Sequence, residues 1–384
     1  MRSSRAVPMA LVLGLIGLFA SGQASASASG SADGTAAALT LGSAAARGAG
    51  VAGGDALADD AERAGRAVGE AAVGAKPAGR AASLEIPTRP GPVWSWNGWV
   101  SGAAGEETLD GTFGAFRRKP IGLVGAWADQ SEYAQTMLGS VDDFSRFNGQ
   151  MDIAVGGLVR GETWEDAAAG KFVPRWTTAA RRLKALRGGK GTTYVRIAHE
   201  ANGDWMAWGI TSKNLEAYKK GYRLYASIIR KEFPQARLTW SPNGGNHTDV
   251  SIDEQWPGDD VVDVIGPDIY DFDPDPTTAS SWQTESTAWL TPQSPTGLEA
   301  WLAYAARRGK PFAMPEWGLA SGDDPVWIRS VHDVLAAHAA PRGSRNVAGK
   351  VVYDCYFNAE EKFKLLHGPN TRAAAAYAAL NWGS

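Results

Sequence analysis

From about position 93 onward, the chain alternates short apolar runs of strand type with longer segments whose apolar residues recur at helical spacing. Eight strand-like runs are predicted, at 93–100, 121–127, 151–158, 193–199, 237–241, 261–270, 311–316 and 351–357. Helices are predicted between most of them, at 176–186, 215–233, 298–308 and 326–339; the second, "LEAYKKGYRLYASIIRKEF", is strongly amphipathic. Strands that alternate with helices argue for an α/β fold with a parallel sheet. Eight such strands in one domain argue for closure into a (β/α)8 TIM barrel, a fold of about 250 residues. An open doubly wound sheet would require a glycine-rich phosphate loop after its first strand, and "WSWNGWVSG" does not supply one. A barrel carries its functional residues at the C-terminal ends of its strands, so those positions are where chemistry is sought.

Composition divides the rest of the chain. Residues 1–28 have a basic start at Arg2 and Arg5, an apolar run over 10–20, and small residues before a cut after Ala26 or Ala28; this is the pattern of a secretory signal peptide. Residues 29–86 form a linker rich in Ala, Gly and Ser, with little surface to bury. All sixteen tryptophans lie from Trp94 on, within a single catalytic domain spanning 87–384. The protein is expected to be secreted and extracellular, with no membrane association after cleavage, and to work as a monomer. A net charge of −3 excludes a basic footprint for nucleic acid. Cys355 is the only cysteine, so no intrachain disulfide can form, and its setting in "VVYDCYF" reads as a buried strand. His247, His332, His338 and His367 are scattered and suggest no metal site, and no cofactor is expected.

Two strand ends carry glutamates. The fourth run leads into His199-Glu200, and the seventh, "KPFAMPEWG", ends at Glu316. Both fall at the same end of the expected barrel, and alternation places Arg196 and Glu200 on one face and Phe312, Met314 and Glu316 on another. Pro315 cannot donate to a ladder, so pairing is expected to fail there. Two facing carboxylates are suited to glycosidic bond cleavage, one protonating the leaving oxygen and the other attacking the anomeric carbon. Separations of about 5–5.5 Å give retention and about 6.5–9.5 Å give inversion. Trp127, Trp205, Trp240 and Trp317 lie at or just beyond strand ends, where indole faces would suit the C–H faces of sugars. His199 and Glu200 can both reach a cleft only if the strand bulges or ends between them. "HEANG" lacks the second histidine of a zinc-protease helix, and no Gly-x-Ser-x-Gly elbow follows a strand.

In these motifs the chain resembles glycoside hydrolase family 26, the β-mannanase family of barrel glycosidases. Arg196, His199, Glu200, Asn202, Gly203 and Trp205 match its fourth strand; Gly266, Asp268 and Tyr270 its sixth; and Lys310, Pro311, Glu316 and Gly318 its seventh. The resemblance implies a retaining endo-β-glycosidase acting on a polysaccharide. Glu200 would be the acid/base and Glu316 the nucleophile, held by a hydrogen bond from Tyr270. His199, Asn202, Trp205, Asp268, Tyr270, Trp317, Trp127 and Trp240 would line the substrate cleft. The chain departs from the family where a histidine usually ends strand three and a tryptophan ends strand eight, which leaves β-1,3-xylan, mixed-linkage glucan or a bacterial exopolysaccharide beside mannan. A catalytically inactive glycan-binding barrel is the reading from another class.

Overall fold

The computed structural model describes residues 92–128 and 147–383. The expected signal peptide and linker lie outside the described residues. Among the described residues, eight parallel strands close on themselves: β1 (Val100–Ala104), β2 (Leu123–Trp127), β3 (Gln150–Val155), β4 (Thr193–Ile197), β5 (Arg237–Trp240), β6 in two pieces (Val264–Ile265 and Ile269–Asp271), β7 (Phe312–Leu319) and β8 (Val351–Phe357). Each pairs with the next, and β8 pairs back onto β1 with Val100 opposite Tyr353. The fold is a (β/α)8 barrel.

Two predicted boundaries shift. The first strand starts at Val100 and not at 93. The residues before it instead close the N-terminal end of the barrel, where the Arg237 guanidinium lies over the rings of Trp94 (4.9 Å) and Trp96 (4.3 Å). β7 runs three residues past Glu316, because the second piece of β6 is there to pair with it: Trp317 pairs with Ile269 and Leu319 with Asp271. Its register with β8 slips between Met314 and Trp317, around the proline that cannot donate. Gly266 makes room for that proline, since a Cβ there would stand 2.9 Å from the Pro315 ring.

Strand alternation sorts side chains into two shells. Inside the barrel lie Asp152, Tyr194, Arg196, Thr239 and Tyr353, joined by hydrogen bonds, an ion pair and a ring contact. Outside it, Ile153, Val195, Ile197, Leu238, Trp240, Phe312, Met314 and Trp317 pack beneath the helices. The longest helix, Leu215–Glu232, buries Tyr218, Tyr222, Tyr225 and Ile229 at helical spacing. Its Tyr225 stacks on Trp176 of the helix Val173–Arg187, with ring centroids 4.5 Å apart. Cys355 is buried in β8, as its apolar setting predicts.

Candidate active site

The site is built where β4 stops. The strand ends at Ile197, and the next residues break its alternation: Ala198 and Glu200 both take left-handed backbone angles, with φ of 49° and 51°. Such conformations cost a non-glycine residue about 1–3 kcal/mol and persist only where surrounding structure fixes them. Here the Ala198 N–H donates to the Val155 carbonyl (2.9 Å) and the Glu200 N–H to the Ser241 carbonyl (2.7 Å). The strand thus ends before His199, which removes the requirement that His199 and Glu200 face opposite ways.

Glu200 is 8% exposed and holds two donors. The Asn243 amide donates to Oε1 (2.8 Å) and the Trp205 indole to Oε2 (2.8 Å). Burial first, and then the charge of Glu316, push its carboxyl up to about 7. Glu316 is less enclosed and better supplied with donors. It accepts from the Tyr270 hydroxyl on Oε1 (2.7 Å), and from the Trp127 indole (2.9 Å) and Arg196 (3.4 Å) on Oε2. The two glutamates therefore share one cleft in unlike surroundings.

Arg196 anchors the floor. Its guanidinium is fully buried and lies 2.7 Å from Asp152, 3.1 Å from Asp268 and 3.4 Å from Glu316. One cation thus faces three carboxylates, with Glu200 beyond them. Burial raises Asp152 to about 6 and Asp268 well above the usual carboxylate range, although Arg196 opposes both. Excess negative charge in this interior favours keeping a proton, which reinforces the elevation at Glu200.

The remaining expected residues divide. Trp205 and Trp127 flank the carboxylates, and each directs its indole N–H at one of them. His199 is buried against Trp208, with no partner on Nδ1, and burial holds its pKa well below the ordinary value. Asn202 is a correction: its side chain clamps the loop after β5, donating to the carbonyls of Asn243 (3.0 Å) and Gly245 (2.7 Å) and accepting from the Asn243 N–H (2.7 Å). Asp268 is a second correction, since it is buried under Arg196 and Ser241 and does not line the cleft.

Trp240 and Trp317 are also corrected. Thr239 and Glu316 face the barrel interior, so the next residue in each strand faces the helices. Trp240 donates to the Tyr218 hydroxyl (3.1 Å) and Trp317 to Asp354 (3.0 Å), both inside the outer core. Two residues of the site escape the sequence reading. Asn243 carries only the weak signal of following a strand end, and His247 carries none, being one histidine among several scattered along the chain. The structure sets His247 3.2 Å from Asn243 and edge-on to Trp205 at 5.1 Å. Among the described residues no cluster of His, Cys, Asp and Glu could hold a metal ion.

A closed parallel barrel with two glutamates at its C-terminal mouth defines the class of (β/α)8 proteins built around a carboxylate pair. Residues 167–292 match the sequence model of glycosyl hydrolase family 26. The matched segment holds Glu200, Asn243 and Tyr270 and stops before Glu316. A mannan endo-1,4-beta-mannosidase of Bifidobacterium adolescentis is 33% identical over 149 residues, which are 38% of this chain and 14% of that one. Endoglucanase H of Acetivibrio thermocellus is 26% identical over 234 residues, 56% of this chain and 23% of its own. The chain thus spans less than a quarter of these relatives. The solved structure of a Cellulomonas fimi endo-beta-1,4-mannanase double mutant superposes with a TM-score of 0.52 at 19% identity, over 73% of this chain and 70% of that one, which shows the shared fold.

Proposed function

We propose that this protein is a secreted, retaining endo-β-glycosidase that cleaves a mannan-type polysaccharide. The observation that carries the reading is the pair of glutamates with unlike surroundings, one raised to about 7 by burial and its neighbour, the other held by three donors. In the first half-reaction the protonated Glu200 gives its proton to the glycosidic oxygen while Glu316 attacks the anomeric carbon. The C–O bond to the leaving sugar breaks, and a glycosyl ester forms on Glu316. In the second half, ionised Glu200 takes a proton from water, the water oxygen attacks the same carbon, and Glu316 leaves. Two inversions give net retention. His199, just past the end of β4, lies beside the acid/base to meet a sugar hydroxyl, and Trp127 and Trp205 form walls as well as donors.

Mannan is supported by the names of the relatives, and glucan belongs in the same test because Endoglucanase H matches over the longer span. Export is supported by the leader pattern of residues 1–28, and among the described residues no helix is long and apolar enough to cross a membrane. The test is reducing-sugar release from mannans, xylans and mixed-linkage and β-1,4-glucans, with Glu316→Ala alongside and the product anomer followed by NMR. Release of the β-anomer from one glycan, lost in the variant, is the expected result. Initial release of the α-anomer would refute retention, and no release from a folded protein would favour a binding role.

A further inference from the structure

His247 lies in the loop after β5, open to solvent on one side and set against both groups that hold Glu200 on the other. Its Nε2 stands 3.2 Å from Asn243 Oδ1, and its ring meets the Trp205 ring edge-on at 5.1 Å. Asn243 Oδ1 also accepts from the Gly245 N–H (3.0 Å), while its Nδ2 donates to Glu200 (2.8 Å). A primary amide has one accepting end and one donating end. Turning Asn243 over would set its NH2 against the Gly245 N–H and its oxygen against the Glu200 carboxylate. A neutral His247 that donates from Nε2 adds a second donor at the accepting end and so fixes which end faces Glu200. Gly245 permits the approach, because a Cβ there would lie 2.9 Å from His247 Nε2.

We propose that His247 is a positioning residue that orients the Asn243 amide, and steadies the Trp205 indole, so that both donors stay aimed at Glu200. The proposal rests on the reading of Glu200 as the acid/base and deepens it. The charged groups facing this cluster are Asp204 beside His247, and Glu316, Asp268 and Arg196 around Glu200. Partial desolvation keeps His247 below the ordinary histidine value, against the pull of Asp204, which favours the neutral ring.

The test is a 13C NMR titration of glutamate side-chain carboxyls in the full chain, with the Glu200 signal assigned by its loss in Glu200→Gln. His247→Phe keeps a ring beside Trp205 and removes the donor; His247→Gln restores a donor. In His247→Phe the Glu200 acid constant should fall about three- to ten-fold, the effect of loosening one hydrogen bond to an anion. His247→Gln should return most of it, and the alkaline limb of kcat/KM should move by the same factor. A Glu200 midpoint unchanged in His247→Phe, or equal in the two variants, overturns the proposal. If the midpoint moves as expected but the wild type hydrolyses no glycan, the proposed function fails and the positioning role stands.

Discussion

Replacing Glu200 by Gln tests the electrostatics of the site without any substrate. The folded protein raises this carboxyl from an ordinary 4.5 to about 7, chiefly by burial and then by the charge of Glu316. A group raised in the folded state confers stability that is fully present below its unfolded value and is lost as pH rises through the folded one. At about 1.4 kcal/mol per tenfold change, the loss between pH 4 and pH 8 amounts to about 3 kcal/mol. Gln cannot titrate, so the variant keeps that amount. It also turns an NH2 toward donors that held a carboxylate, at a pH-independent cost of about 1–3 kcal/mol. The variant should therefore be the less stable protein at pH 4 and should gain on the wild type steadily up to pH 8. Taking the difference cancels most other buried groups, including His199, whose lowered pKa acts in the opposite direction below its ordinary value. Urea unfolding of both proteins across that range is the assay. A difference that stays flat, or that favours the wild type more as pH rises, would refute the account of a desolvated Glu200.

Three further outcomes are expected. Tyr270→Phe, which removes the 2.7 Å hydrogen bond to Glu316, should lower kcat about ten- to a hundred-fold while leaving the fold intact, as measured by steady-state kinetics on the identified glycan. Arg196→Met leaves Asp152 and Asp268 buried without their cation and should cost about 3–5 kcal/mol in chemical denaturation near neutral pH, with part recovered in acid. Trp317→Ala should lower stability by about 3–5 kcal/mol through a core cavity, whereas Trp127→Ala should mainly reduce activity, and comparing melting temperature with kcat/KM separates the two.

Much of the barrel was legible because its signals are local. Period-two runs and amphipathic helices need only neighbouring residues, and the last seven strands and the four named helices appear within a few residues of their predicted places. The first strand was misplaced because its leading tryptophans pack on Arg237, a partner distant in sequence. The alternation that groups Phe312 and Met314 with Glu316 fails at the irregularity between Met314 and Trp317, which leaves Phe312, Met314 and Trp317 all in the outer core and turns Glu316 to the cleft. Asn202 and Asp268 matched motif positions, but a motif does not say whether a polar side chain meets ligand or loop.

Residue order alone dictates the alternation of strands and helices, the two glutamates toward the C-terminal ends of the fourth and seventh strands and the presence of a tyrosine on the neighbouring strand. Those features follow from backbone periodicity and from residue type at strand ends. The charge state and the company of the glutamates come from closure of the sheet in three dimensions. Closure set one buried arginine among Asp152, Asp268 and Glu316, and brought Asn243 and His247 from the next loop to the side of Glu200. Desolvation and hydrogen bonding depend on what surrounds a group in space, and these neighbours lie tens of residues apart along the chain.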